Sequence, residues 1–159
     1  MTLLRALMLL ALIVWIGGLI FFAFVLAPTV FTIPAILPNT ALAGNVVSRS
    51  LTVLHWMGIA SGVVFLICSL LYSRARLARF TPLALSNLLV LFMLVLILIS
   101  QFAITPRMHV LRAQMQSTGS LEGSDRIEFD HMHEWSTRLE TGVLVLGLAV
   151  VVLTARRFS

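Results

Sequence analysis

The sequence predicts an all-α bundle of four transmembrane helices, and three observations carry that prediction. Sixty per cent of the 159 residues are hydrophobic and only 11% are charged, with a mean hydropathy of +1.06. A water-soluble chain of this length would have too little polar surface to coat its core. Apolar stretches at about 3–27, 51–72, 82–103 and 136–155 each reach the roughly 20 residues that cross a bilayer. The net charge of +5 comes from arginine alone, and the arginines are distributed as in a topology signal rather than a nucleic-acid surface.

The first span, Leu3 to Ala27, carries only Arg5 as a charge and is too long for a signal-peptide core, so it reads as a retained helix that Pro28 ends. Gly17 and Gly18 in its middle are expected to permit close helix approach. Residues 28–50 contain Pro34 and Pro38, then Asn39-Thr40 as a helix-capping candidate, and predict a short interfacial helix over Thr40 to Ser50. The second span opens with His55 and Trp56 and carries Gly58 and Gly62 as a small-xxx-small pair.

Arg74, Arg76 and Arg79 lie in the next connector, and Pro82 opens the third span at a favourable helix start. Asn87 and Gln101 lie near the two ends of that span, and Asn87 is expected to bond to a neighbouring helix. Thr105 to Glu128 predicts an extended loop, with Met108 to Gln116 as a possible amphipathic helix and turn-rich Ser117 to Ser120 and Gly123-Ser124 after it. The fourth span begins between Phe129 and Glu140 and ends at Arg156-Arg157. The chain reads as one integral membrane domain in which no repeat stands out. The single Cys68 excludes an intrachain disulfide.

Four spans put both termini on the side of the Arg74–Arg79 connector, which collects six arginines and no acid. The other side receives five arginines and all six acids. The positive-inside rule then places the termini in the cytoplasm of a bacterial inner membrane. Counting about 20 residues back from each cytoplasmic end brings His55, Gln101 and Ser136 to the outer hydrocarbon boundary.

Chemistry is concentrated before the fourth span. His131 and His133 are two residues apart and point about 200° from each other on a helix, so only one can face the bundle. His133, Thr137 and Glu140 share a face, which selects His133 as the inward histidine. Glu140 stands within an apolar span, where a carboxylate needs a partner, a proton or a wet cavity; one reading has it hydrogen-bonded to Gln101. The histidines admit three readings. They anchor helix ends at the interface; or His55 and His133, with Glu140, Met57 and Met108, bind a copper ion; or His55 and His133 ligate a b-type haem, with Gly58 and Gly62 making room for the macrocycle. No ligand spacing is diagnostic, and no hydrolase, kinase or Rossmann motif occurs.

The pattern Trp15-Ile16-Gly17-Gly18-Leu19-Ile20-Phe21-Phe22, then Ala27-Pro28, Phe31, Leu54-His55, Thr105-Pro106-Arg107-Met108, Phe129, His133 and Ser136, resembles small bacterial membrane proteins akin to transmembrane protein 205 (domain of unknown function 4149). The resemblance implies a four-helix integral membrane protein and points to His55, Pro106, Arg107, His133 and Ser136. The Trp-Gly-Gly opening also looks like copper resistance protein D, and eukaryotic relatives are linked to platinum-drug resistance, so both hints lean toward metals.

Three functions follow as expectations. The first is a binding or transport-accessory protein with an outer-face site of His55, His133 and Glu140, supported by Met57, Met108, Gln101, Arg107 or Ser136. The second is a cofactor-free accessory subunit of a larger membrane complex or homo-oligomer, packed through its glycines. An enzyme with Glu140 as proton carrier has the least support. The bilayer is the expected partner in every case, and nucleic acid is not.

Overall fold

The computed structural model describes residues 2–33, 40–77, 84–118 and 121–158, and the regular elements among them are helical. They are α1 (Thr2–Phe21), α2 (Ala27–Val30), α3 (Thr40–Leu77), α4 (Leu85–Ile99), α5 (Thr105–Thr118) and α6 (Gly123–Phe158). A π turn joins α1 to α2 over Phe22–Leu26, and another joins α4 to α5 over Ser100–Ile104. The result is four long rods. Among the described residues, Thr2–Val30, Leu42–Ala75, Leu85–Thr118 and Gly123–Arg156 are each long and apolar enough to cross a membrane. The chain is a multi-pass membrane protein.

Its surface is apolar where a soluble protein's would be polar. Ile13, Phe24, Val53, Phe92, Phe102 and Val145 are exposed, one or more on each rod. Such a belt is stable against acyl chains and not against water.

The rods run up and down. Arg5 donates to the Tyr72 hydroxyl at 2.8 Å, while Gly18 abuts Leu54, so α1 and α3 are antiparallel. Ser69 Oγ donates to Asn87 Oδ1 at 2.7 Å, and His55 meets Gln101, so α3 and α4 are antiparallel as well. The Ser69–Asn87 bond is the interhelical contact expected of Asn87. Both termini therefore lie at one end of the bundle, and the α2–α3 and α5–α6 connections lie at the other, called here the far end.

The far end differs from the sequence reading. Thr40 to Ser50 is no separate interfacial helix but the first turns of the 38-residue α3, because nothing between Thr40 and Leu77 breaks the hydrogen-bond ladder. The expected long loop is mostly helix. α5 carries the third rod on to Thr118, and α6 already begins at Gly123, whose φ of +56° suits a residue without a side chain. Pro34, Pro38, Asn39, Arg79, Pro82, Gly119 and Ser120 lie outside the described residues.

Each π turn has a proline as its cause. Pro28 and Pro106 have no N–H and would clash with the carbonyl four residues back in a regular α-helix. The chain widens by one residue instead, and the residue before each proline bonds five back: Ala27 N–H to Phe22 O, and Thr105 N–H to Ser100 O. Neither proline ends its rod.

These paired turns expose a repeat that the residue identities hide. Each half consists of a rod with a proline-induced π turn followed by a long returning helix. Pro28 and Pro106 are 78 positions apart (106 − 28), and the same shift carries the buried Met8, Leu12, Trp15, Ile16 and Leu19 onto the buried Ser86, Val90, Met93, Leu94 and Ile97. A shift of 85 (147 − 62) carries Gly58, Gly62, Phe65 and Ser69 of α3 onto the buried Val143, Gly147, Val150 and Thr154 of α6.

The packing obeys the same operation. A Cβ on Gly62 would meet Trp15 of its own half and Leu94 of the other. A Cβ on Gly147 would meet Met93 of its own half and Ile16 of the other, which are the counterparts of Trp15 and Leu94. The bundle thus has a pseudo-twofold relation along its length, as parallel repeats do in some transporters.

Candidate functional site in the far half of the bundle

The repeat makes His55 of α3 and Glu140 of α6 counterparts (55 + 85 = 140), and they meet in the bundle interior. His55 Nε2 lies 2.6 Å from Glu140 Oε1, and Nδ1 lies 2.8 Å from Gln101 Oε1 in the π turn of the third rod. Ser100 Oγ donates to the same Glu140 oxygen at 3.4 Å. His55 is 1% exposed and Glu140 15%.

With Gln101 Oε1 placed against the ring, the contacts describe a neutral arrangement. A carboxamide oxygen only accepts, so His55 Nδ1 carries a hydrogen and donates it to Gln101. A single proton then occupies the short line between Nε2 and Oε1. Whichever atom holds it, the pair has no net charge, which is the condition for burying an ionisable pair in a bilayer-spanning bundle. The π turn supplies the geometry, because the residue it adds re-aims Gln101 about the rod.

The two halves differ in what their π turns offer this pair. The counterpart of Gln101 is Ala23 (101 − 78), in the π turn of the first rod. Gln101 satisfies the second polar atom of His55, but Ala23 has nothing to offer Glu140. Accordingly Glu140 Oε2 is buried with no hydrogen-bond partner among the described residues. Glu140 also lines a cavity of about 450 Å³, within the size range of small-molecule sites.

All four rods wall this cavity. Phe22, Ala23 and Pro28 come from the first, Val47, Ser48 and Leu51 from the second, Met108 and Arg112 from the third, and His133, Ser136, Thr137, Glu140 and Leu144 from the fourth. The α6 contributors span twelve residues, His133 to Leu144, about 16 Å along a helix. The cavity is therefore elongated along the bundle, mostly apolar, with Glu140 toward its deep end and Arg112 on its wall.

The expected site residues fall into two groups. Gln101, Glu140 and His55 come together, with His55 bridging the other two rather than Glu140 bonding to Gln101. Ser136 and Met108 are buried cavity walls. His133 shares the expected stripe with Thr137 and Glu140, but it is exposed at the cavity rim and stacked on Phe129 at 6.3 Å. It does not meet His55, whose level on α6 is that of Glu140, seven residues or about 10 Å deeper. His131 is exposed as well, so neither histidine faces the bundle interior. Met57 is 42% exposed. Arg107 stands outside the cavity in a two-pronged pair with Glu128, at 2.7 and 2.8 Å, that ties α5 to α6.

The donors present do not fit a haem or a metal ion. Both His55 nitrogens are engaged, and Gly58 and Gly62 make room for the Trp15 indole rather than for a macrocycle. No group of three His, Cys, Asp or Glu side chains able to hold a metal occurs among the described residues.

Sequence reasoning missed Ala23, Ser100 and Arg112. For Arg112 a signal existed, since it follows Gln101 by eleven residues, three helical turns on the same face. Nothing in an isolated alanine could have marked Ala23.

The profile of a family described as Domain of unknown function (DUF4149) matches residues 10–117, 108 of the 159 positions. The chain belongs to the DUF4149 family. The matched stretch holds most of the first three rods, from Leu10 on, with both π turns, His55, Gln101 and Arg112, while α6 and its Glu140 lie beyond it. No curated protein and no solved structure matches the chain.

Proposed function

We propose that this DUF4149 protein is a membrane-embedded binding protein, in a transport-accessory role, whose ligand occupies the far-half cavity and donates a hydrogen bond to Glu140 Oε2. The observation that carries the reading is a buried carboxylate oxygen without a partner among the described residues, on a side chain that lines a mostly apolar cavity. An unsatisfied acceptor at such depth is unfavourable by about 1–3 kcal/mol, and a ligand hydroxyl or N–H relieves that. The neutral His55–Glu140–Gln101 chain is the rigid polar wall that fixes the acceptor's direction. This geometry favours a small organic ligand over copper or haem, for which the donor set is incomplete.

The orientation belongs to the same proposal. Arg5, Arg74 and Arg156 stand at the terminal end of the bundle, and the acids stand at the far end, so the termini face the cytoplasm of a bacterial inner membrane and the cavity lies in the outer half. Alkaline phosphatase fused after residue 158 is expected to be inactive, and a fusion within the α5–α6 connection active.

The binding reading is tested by mass spectrometry of small molecules extracted from the purified protein, wild type against Ala23→Trp. Tryptophan at 23 fills the cavity. A lipophilic species carried by the wild type and depleted in A23W supports the proposal. Two folded preparations with identical extracts would return the chain to the reading of a cofactor-free accessory subunit.

A further inference from the structure

The cavity has a second polar feature that the Glu140 contact does not use. Arg112 is 9% exposed and lines the cavity wall. Its guanidinium lies 5.6 Å from the centre of the Phe129 ring, and its Nε stands close to the backbone at Gly44. No carboxylate pairs with it among the described residues.

That isolation contrasts with its neighbours. Arg107 pairs with Glu128, Arg126 with Asp130 and Arg138 with Glu134, all on exposed surface where pairing matters least. Arg49 is exposed. Among the described residues, the deeply buried arginine of this end thus has no anion, although acids are abundant there. A buried guanidinium stays charged, and its stable environment includes a counter-charge.

We infer that the cavity ligand is an anionic amphiphile, with its acidic head on Arg112 and its apolar body running along Leu51 and Phe22 toward Glu140. The inference rests on the binding reading above and specifies the ligand class for that cavity. A planar guanidinium suits a carboxylate or phosphate head, which it grips with two parallel hydrogen bonds. The Phe129 ring on the other side holds the guanidinium in place through its π face. Arg112 and Phe129 mark the level of the head, and Glu140 lies eleven residues further along α6, about 16 Å. The ligand is therefore elongated, charged at one end and able to donate a hydrogen bond near the other.

The test compares four probes on the purified protein by thermal shift and competition: 10-hydroxydecanoate, decanoate, 1-decanol and phosphatidylglycerol in nanodiscs. The hydroxyacid is expected to bind tightest, and decanoate at least tenfold tighter than decanol. Arg112→Gln should remove the advantage of the carboxylates, while Arg112→Lys retains part of it. Equal binding of decanoate and decanol, or an undiminished preference in R112Q, overturns the anionic head. If A23W then abolishes both, the cavity reading survives without it; if A23W abolishes neither, both fall. Competition by phosphatidylglycerol supports the same head chemistry with a bilayer lipid as its source, and lack of competition supports a free single-chain acid. Should R112Q fail to fold, the wild-type comparison of decanoate with decanol decides alone.

Discussion

Ala23→Gln is the sharpest test of the pseudo-twofold reading, because it restores in the first half what Gln101 provides in the second. A glutamine at 23 sits in the same register of its π turn as Gln101 and can donate its amide N–H to Glu140 Oε2. Satisfying that acceptor is favourable by about 1–3 kcal/mol. Ordering the new side chain opposes this by up to about 2 kcal/mol. The net gain expected is about 1 kcal/mol, which for a chain of this size raises the unfolding temperature by roughly 2–4 °C. The assay is thermal unfolding in one detergent, with Ala23→Leu as a control that adds similar bulk and no donor. The same glutamine occupies cavity volume, so ligand capture falls as stability rises. A23Q no more stable than A23L would refute the assignment of position 23 as the missing partner of Glu140.

Other substitutions separate the two histidines and the glycines. His55→Ala strands Glu140 and Gln101 without partners inside the bundle, and is expected to destabilise by about 3–5 kcal/mol in denaturant titration, as for a broken buried pair. His133→Ala at the exposed rim should stay within about 0.5 kcal/mol of wild type; equal effects at the two positions would discredit the site as drawn. Gly62→Leu collides with Trp15 and Leu94, so a loss of about 1–3 kcal/mol is expected, with partial rescue by Trp15→Phe. Asn87→Leu removes the Ser69 bond and should be worth only about 0.6 kcal/mol, since interhelical hydrogen bonds within membranes are weak on average.

The fold class was legible from composition because the bilayer makes the same demand of every residue in a span. Four apolar stretches of sufficient length, bounded by arginines, leave few alternatives to four crossing helices. Polar residues within those stretches were legible as special for the same reason, and His55, Gln101 and Glu140 stood out individually. The far-end boundaries were not legible. Thr40 to Ser50 and Thr105 to Thr118 look like interface or loop because they are polar, yet a helix leaving the membrane keeps its ladder while its side chains change character.

Which polar residues meet was settled by rotation and register, which apolar periodicity leaves open when every face of a helix is hydrophobic. His133 and His55 look matched in the chain, but α6 is shifted by seven residues relative to the first half, and that shift puts Glu140 opposite His55. The glycines show the same limit: a small-xxx-small pair promises close approach without naming what approaches, and here it is the Trp15 indole. Composition and length thus determined that the chain spans the membrane four times. Only three-dimensional packing decided that one alanine, at the position equivalent to a glutamine, leaves a carboxylate oxygen without a partner on a residue that lines a cavity.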